Sequence, residues 1–407
     1  MSFAVLALML CVFCLGTAEV ALSGILPEVA ADLSVSIPSA GLLVTAYAVG
    51  VAVFGPLVTL GTLKVSSRKL MLGLMGVFLV GNALSAFAAN YELLIGARLL
   101  TALSHGTFVA MAGFVAAGMA PPGKEASAIA NISLGFNLAN VLGVPLTTMI
   151  GQAFGWRMTF AAITLAAVLA TGLVAWQVPR KDVRGGSTEL AAGGVKAETR
   201  VLLRPVVLGT VLVTVLAQGS VFAVSTYISP LLRFVADYPA SSVSLLLLVF
   251  GAGSVCGNFL GGRVTDRSTS VGVFGSLGVL TVMLVVFWGF LPVSPAVPVV
   301  LFLFGAAGFA IIPALQTRIL RLSAAAPILA LSANVSAFNL GNGFGAWMGG
   351  TVIELEWGVR NVLLVAGAIT LVALSLAWII DRLSRTSGSA PAAHRTAESE
   401  LSVGEAG

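Results

Sequence analysis

Apolar residues in this chain come in long runs, and charged residues are confined mostly to the short breaks between them. Twelve runs can be read, at approximately 3–26, 38–62, 70–88, 91–118, 126–152, 157–178, 205–232, 240–262, 271–291, 296–318, 327–352 and 358–380. A helix needs about 20 apolar residues to cross a hydrocarbon core ~30 Å thick, and each run is of that order. Period-two alternation in segments of about 10 residues, the mark of an outer-membrane barrel, does not appear. The pattern predicts an all-α polytopic membrane protein with twelve transmembrane helices. They fall into two groups of six: residues 1–178 form one bundle and 205–380 a second. A polar linker, 179–204, joins them, and a Ser/Ala/Glu-rich tail, 381–407, is expected to be disordered.

The chain also repeats itself. Ala130-Asn131-Ile132-Ser133 leads into Phe136-Asn137-Leu138-Ala139-Asn140, and Ala333-Asn334-Val335-Ser336 leads into Phe338-Asn339-Leu340-Gly341-Asn342. The copies stand about 200 positions apart, near half the chain length, on spans 5 and 11. Parallel repeats of this kind mark secondary transporters, whose substrate path lies between the halves. The two six-helix bundles are therefore expected to be pseudo-repeats about an axis along the membrane normal.

Composition agrees. The chain is 58% hydrophobic and 9% charged, with a mean hydropathy of +1.04. Soluble domains carry roughly 25% charged residues. The net charge of +5 does not point to nucleic acid, because the basic residues sort by loop. Seventeen lie on one set of loops, the linker and the tail, against only Arg157, Arg233 and Arg360 on the other; Arg98 lies inside a span. The positive-inside bias then places both termini and the linker in the cytoplasm. Three cysteines give no disulfide framework, and Cys11-x-x-Cys14 inside an apolar helix reads as small packing residues. No GxxxxGK[ST], HExxH or GxSxG is present, so neither an ATP-driven cassette nor a familiar membrane hydrolase site is indicated, and no cofactor is implied.

Ionisable side chains inside spans cost on the order of 2.5–3.5 kcal/mol each by insertion scales and are functional candidates by default. Three lie well inside: Glu19 in span 1, with Arg98 and His105 in span 4. Glu19 and Arg98 sit at similar depth, roughly 10 Å below the same end of their spans. His105 follows Arg98 by two helical turns on nearly the same face. They read as a proton-coupling set in which Arg98 tunes Glu19 by charge proximity; the alternative is a fixed ion pair holding spans 1 and 4 together. Asn137 with Asn140, and Asn339 with Asn342, are i, i+3 pairs that each occupy one helix face. With Tyr47, Gln218, Tyr227 and Phe338 they are candidates to line a substrate cavity, or else to hydrogen-bond neighbouring helices. Gly253-Gly257-Gly261 and Gly341-Gly345-Gly349 permit close helix contact.

Several strings resemble the major facilitator superfamily, and within it the twelve-span drug:proton antiporter branch. They are Gly16-Thr17-Ala18-Glu19 with Leu26-Pro27-Glu28, Ala40 to Gly50, Ala97-Arg98-Leu99 with His105-Gly106, Gly143-Val144-Pro145, and Gly262-Arg263-Val264-Thr265-Asp266-Arg267. The likeness is strongest to bacterial exporters of the arabinose-efflux and chloramphenicol-resistance type. The resemblance implies the major facilitator fold and assigns proton transfer to Arg98. It gives Gly143 and Pro145 a gating bend in span 5, and gives Lys64, Arg68, Gly262, Asp266 and Arg267 a cytoplasmic latch. The first-half latch departs from the family pattern at Thr59 and Leu63.

These readings converge on a monomeric proton-coupled exporter of small molecules in the cytoplasmic membrane of a bacterium, working by alternating access. Its partners would be the substrate, the proton and the lipid bilayer, with the proton gradient as energy source. Uptake of a sugar or nucleoside is the alternative, separated by the direction of accumulation in oriented vesicles. A non-transporting membrane sensor would bind ligand without moving it.

Overall fold

The structure, a computed structural model, describes residues 3–62, 65–121, 125–178, 203–323 and 327–387. All regular structure among them is helical. In the first half these are α1 (Phe3–Val20), α2 (Leu22–Asp32), α3 (Ile37–Gly61), α4 (Ser67–Ala86), α5 (Tyr91–Gly118), α6 (Glu125–Leu138), α7 (Val144–Phe154) and α8 (Trp156–Gln177). In the second they are α9 (Pro205–Thr226), the single turn α10 (Ile228–Pro230), α11 (Ala240–Arg267), α12 (Thr269–Phe290), α13 (Val297–Leu322), α14 (Pro327–Glu354) and α15 (Val362–Ser387). Eleven spans among the described residues are long and apolar enough to cross a membrane, and the 28-residue α14 stands where the repeat expects the remaining one.

Three spans are broken, two of them beside a proline. Span 1 does not stop near residue 26: it breaks at Ala21, kinks at Ile25 (φ −122°, ψ 17°) and continues through Pro27 to Asp32. Span 5 is helix, then a π-turn at Ala139–Gly143, then α7. Proline has no N–H and its ring crowds the carbonyl four residues back. Pro145 thus leaves Val141 without its helical donor, and the preceding turn widens so that the Val144 N–H reaches Ala139 O instead. A second π-turn, Leu231–Val235, ends span 7; there Pro230 precedes the widened turn instead of following it. The last helix also runs past residue 380 to Ser387, so the start of the tail is helical. Residues 179–202 of the linker and 388–407 of the tail lie outside the described residues.

The repeat extends well beyond the asparagine strings. Gly155 (φ 90°) and Gly358 (φ 87°), each two residues before an arginine, open the connections into spans 6 and 12. A residue with a Cβ is strained at such φ values, so glycine fits both turns. Arg157 donates through Nε to Ala88 O at 3.1 Å, at the end of span 3. Arg360 donates through Nε to Trp288 O at 2.9 Å, near the end of span 9. Each guanidinium also lies over a tryptophan ring, Arg157 over Trp156 at 4.3 Å and Arg360 over Trp288 at 4.2 Å. These are equivalent staples in the two bundles.

The glycine ladders set how closely helices approach. A Cβ at Gly253, Gly257 or Gly261 would meet the backbone carbonyls of Phe302, Ala306 and Ala310 at 2.1, 1.9 and 2.1 Å, so α11 and α13 run backbone against backbone. Gly341, Gly345 and Gly349 likewise bring α14 onto α9, where a Cβ would meet the carbonyl oxygens of Val215, Gly219 and Ala223 at 2.7, 2.1 and 3.0 Å. Between the halves, the contacts are α3 against α14, α7 and the first π-turn against α11, and α2 against α10. The approaches cluster at one end and at mid-membrane: Gly41 under the Tyr227 hydroxyl, Gly24 beside Leu247, and Thr45 donating to Gly343 O at 3.2 Å. That end carries Asp32 and Ser36 and is called the Asp32 end below.

Candidate functional site

The break in span 1 sets up the site. A helix that stops leaves its last carbonyls without intrahelical donors. Arg98, fully buried on α5, supplies them: it donates to Ala18 O at 2.8 Å and to Glu19 O at 3.5 Å. Its guanidinium also lies 4.1 Å over the Tyr47 ring. A cation is favourable at a helix C-terminus, where the dipole concentrates negative charge. Arg98 is therefore held by backbone and ring, and no ion pair joins it to the Glu19 carboxylate.

The carboxylate, buried like the rest of Glu19, has other neighbours. Glu19 Oε1 accepts from Asn342 Nδ2 at 2.9 Å, across the two halves of the molecule. Glu19 Oε2 faces His105 Nε2 at 3.6 Å. On its far side, His105 Nδ1 meets the Tyr47 hydroxyl at 2.6 Å. A Tyr47 hydroxyl donating to Nδ1 leaves the imidazole hydrogen on Nε2, facing Glu19. Phe136, from the repeat string on α6, packs against the imidazole with ring centroids 5.4 Å apart. The result is a buried polar chain running from Tyr47 through His105 and Glu19 to Asn342. It starts in the first bundle and ends in the second. A carboxyl group in such a chain can take up or lose a proton with donors already in place around it.

The other residues singled out in the sequence divide. Asn140 and Asn339 each donate to the carbonyl four residues back, Phe136 O at 3.1 Å and Val335 O at 3.0 Å. Asn140 also lies where the two halves touch, since a Cβ at Gly251 would meet its carbonyl oxygen at 2.7 Å. Asn137 and Phe338 are half-buried on α6 and α14. Gln218 is buried on α9 beside Gly341. Tyr227 is fully buried, donates to Ala346 O at 2.9 Å and covers Gly41 of the first half, the work of an inter-helix strut. Gly143 lets span 5 press on span 1, for a Cβ there would sit 2.2 Å from Thr17 Oγ1; Pro145 is buried in the first turn of α7.

At the opposite end, Asp266 and Arg267 are exposed at the close of α11, and Gly262 has open space where a Cβ would go. Arg68 donates to Ala175 O, tying α4 to α8 inside the first bundle. Lys64, with Leu63, lies outside the described residues. A cavity of about 360 Å³ lies elsewhere, on the flank of the first bundle, lined by Ala83, Phe87, Arg157 and Leu165 among others.

Two features were missed in the sequence. One is the reach of Asn342 to Glu19; the other is an ion pair between the halves, Arg233 Nη1 to Glu28 Oε1 at 2.7 Å. Both charges of that pair are legible as residues flanking spans, but nothing local joins positions separated by 205 residues. Nearby, Asp32 accepts from Arg157 Nη1 at 2.6 Å and Trp156 Nε1 at 3.0 Å, within the first bundle. Those hydrogen bonds hold the Asp32 carboxyl below its ordinary value.

Long apolar helices in two halves that meet at a buried ionisable cluster define a polytopic membrane protein. The sequence profile of the Major Facilitator Superfamily matches residues 8–328, and the chain belongs to that family. It is 39% identical over 381 residues to the inner membrane transport protein YdhP of Escherichia coli K12, covering 94% of this chain and 96% of that protein. It is 32% identical over 384 residues to a chloramphenicol resistance protein of Streptomyces lividans, covering 93% and 96%. Among solved structures, an inward-facing, occupied bacterial homologue of the human lysosomal transporter Spinster superposes with a TM-score of 0.75 at 16% identity, covering 94% of this chain and 97% of that one.

Proposed function

We propose that the protein is a proton-coupled exporter of small molecules in a bacterial cytoplasmic membrane, acting as a monomer with Glu19 as its proton-carrying group. The observation that carries this reading is the position of the Glu19 carboxylate: buried, within reach of His105, and bonded across the molecule to Asn342. A group whose charge changes at the contact between two moving halves can link proton movement to their rearrangement. The excess of basic residues in the linker, the tail and the loops around Arg68 and Arg267 supports a cytoplasmic side for these segments. The Asp32 end, where the halves are in contact, then faces outward, and the state described is closed to the outside. The similarity to a chloramphenicol resistance protein favours export over uptake and suggests amphiphilic, drug-like substrates.

The test is a growth-inhibition panel, chloramphenicol included, in a host lacking its own pumps. Expression of the wild type raises the inhibitory concentration of at least one compound, and dissipating the proton gradient removes the protection. Glu19→Gln, confirmed in the membrane by immunoblot, abolishes it. Protection by Glu19→Gln equal to wild type would sink the assignment.

A further inference from the structure

Asn342 differs from the other asparagines of the described spans in what it holds. Asn82, Asn140 and Asn339 donate to carbonyls four residues back, and Asn334 donates to Thr214 on the neighbouring α9 at 3.3 Å. Asn342 leaves Phe338 O alone and donates to the first bundle instead, and its own Oδ1, buried, has no partner among the described residues. The hydrogen bond its side chain makes among them is thus to Glu19. The backbone around it is equally committed to the interface. Gly343 accepts from Thr45 at 3.2 Å and lies against Val49, while Gly341 and Gly345 on the adjoining face press on α9. A pull on Asn342 is therefore a pull on the contact between α3 and α14.

The two carboxyl oxygens have different surroundings, and this fixes what a proton does. Oε1 already accepts from Asn342, so a hydrogen added there would oppose the incoming N–H; Oε2 stands 3.6 Å from His105 Nε2, beyond hydrogen-bond reach, and takes the proton on a lone pair turned away from the imidazole. Protonation at Oε2 leaves Oε1 as a neutral carbonyl. The bond to Asn342 then passes from charge-assisted to neutral, roughly half as strong. The groups facing Glu19 are Arg98 and His105 from α5, Tyr47 from α3 through His105, and Asn342 from α14. Arg98 is engaged by the Ala18 and Glu19 carbonyls and does not follow the carboxyl proton.

We propose that Asn342 is the positioning residue through which the second bundle registers the protonation of Glu19, holding the Asp32 end shut while the carboxylate is ionised and releasing it on protonation. This rests on the assignment of Glu19 as the proton carrier. The difference between a charge-assisted and a neutral bond corresponds to about a fivefold change in the ratio of closed to open forms.

The experiment needs no substrate. Spin labels are placed at Ala31→Cys and Ser241→Cys, exposed positions on either side of the Asp32 end, with Cys11, Cys14 and Cys256 replaced. Distances are measured by double electron–electron resonance on the full chain in lipid nanodiscs at about pH 9 and about pH 3.5, on either side of the ordinary carboxyl and imidazole titrations. In the otherwise wild-type protein the closed-to-open ratio falls about fivefold on acidification. Asn342→Leu is flat with pH. Asn342→Asp, which has no donor for an ionised Glu19 but gains one when protonated, responds with the opposite sign. Glu19→Gln is flat at the acidic level. A wild-type response in Asn342→Leu, or in Asn342→Asp should the leucine variant not fold, overturns the proposal while leaving Glu19 as the proton carrier. A wild-type response in Glu19→Gln means that another group titrates, and the assignment of Glu19 falls with it.

Discussion

Replacing Gly257 by alanine adds one methyl group where the structure leaves no room for it. The new Cβ would lie 1.9 Å from the carbonyl oxygen of Ala306 and 2.5 Å from its C and Cα. All three are backbone atoms of α13, so no side chain can swing aside. Ordinary contact requires the two helices to part by about 1.5 Å. Parting at Gly257 also loosens the approaches one turn away on each side, at Gly253 and Gly261. Overpacking of this kind costs about 1–3 kcal/mol. Gly262, the next glycine but on the opposite face, is the matched control, because nothing lies within 4 Å of a Cβ built there. In an open helical position glycine to alanine stabilises by about 0.4–1 kcal/mol. The two single-methyl variants should therefore differ by roughly 1.5–4 kcal/mol, with Gly262→Ala above wild type and Gly257→Ala below it. Thermal unfolding in detergent, followed by fluorescence-detected size exclusion, reads the order directly. If Gly257→Ala unfolds at or above the temperature of Gly262→Ala, the argument from backbone contact is wrong.

Arg98→Lys should abolish transport although the charge is kept. An ammonium cannot donate to two successive carbonyls from a plane lying over Tyr47, and each lost buried bond leaves an acceptor uncovered at a cost of about 1–3 kcal/mol. Wild-type transport by that variant at equal expression would refute the capping role. At the Asp32 end, the carboxyl of Asp32 is held low by Arg157 and Trp156. A depressed carboxyl contributes stability above its unfolded value of about 3.9, and the contribution disappears as pH falls through the folded value. Because the pair is substantially exposed, the effect should not exceed about 1 kcal/mol. Acid unfolding of Asp32→Asn compared with wild type should show the difference at neutral pH and lose it in strong acid.

The sequence predicts most of the helices, since apolar runs of membrane length leave few other structures open, and α5 falls where the pattern puts it. It also identifies Glu19, Arg98 and His105 as one group, because ionisable residues in such runs are rare and their depths match. What it leaves hidden depends on direction and on distant partners. Equal i, i+3 spacing makes Asn140 and Asn342 look equivalent. Asn140 turns back on its own helix, as Asn339 does on the unbroken α14, whereas Asn342 on that same helix reaches Glu19. The spacing of Glu19 and Arg98 suggests an ion pair; the break at Ala21, which opens the Ala18 and Glu19 carbonyls to Arg98, carries no proline or glycine at the break itself.

Arg98 is fastened to the backbone and not to a carboxylate, so its positive charge stays in place whatever happens to Glu19. With Glu19 ionised the two charges cancel; with Glu19 protonated the pair is left at plus one. A cycle in which the halves rearrange around a protonated Glu19 then moves a net charge within the membrane field. Every 100 mV of potential biases that step by up to about 2.3 kcal/mol for a full crossing. The broken helix thus gives the site an electrical asymmetry. A voltage alone, without any pH difference, should shift the balance between its two faces.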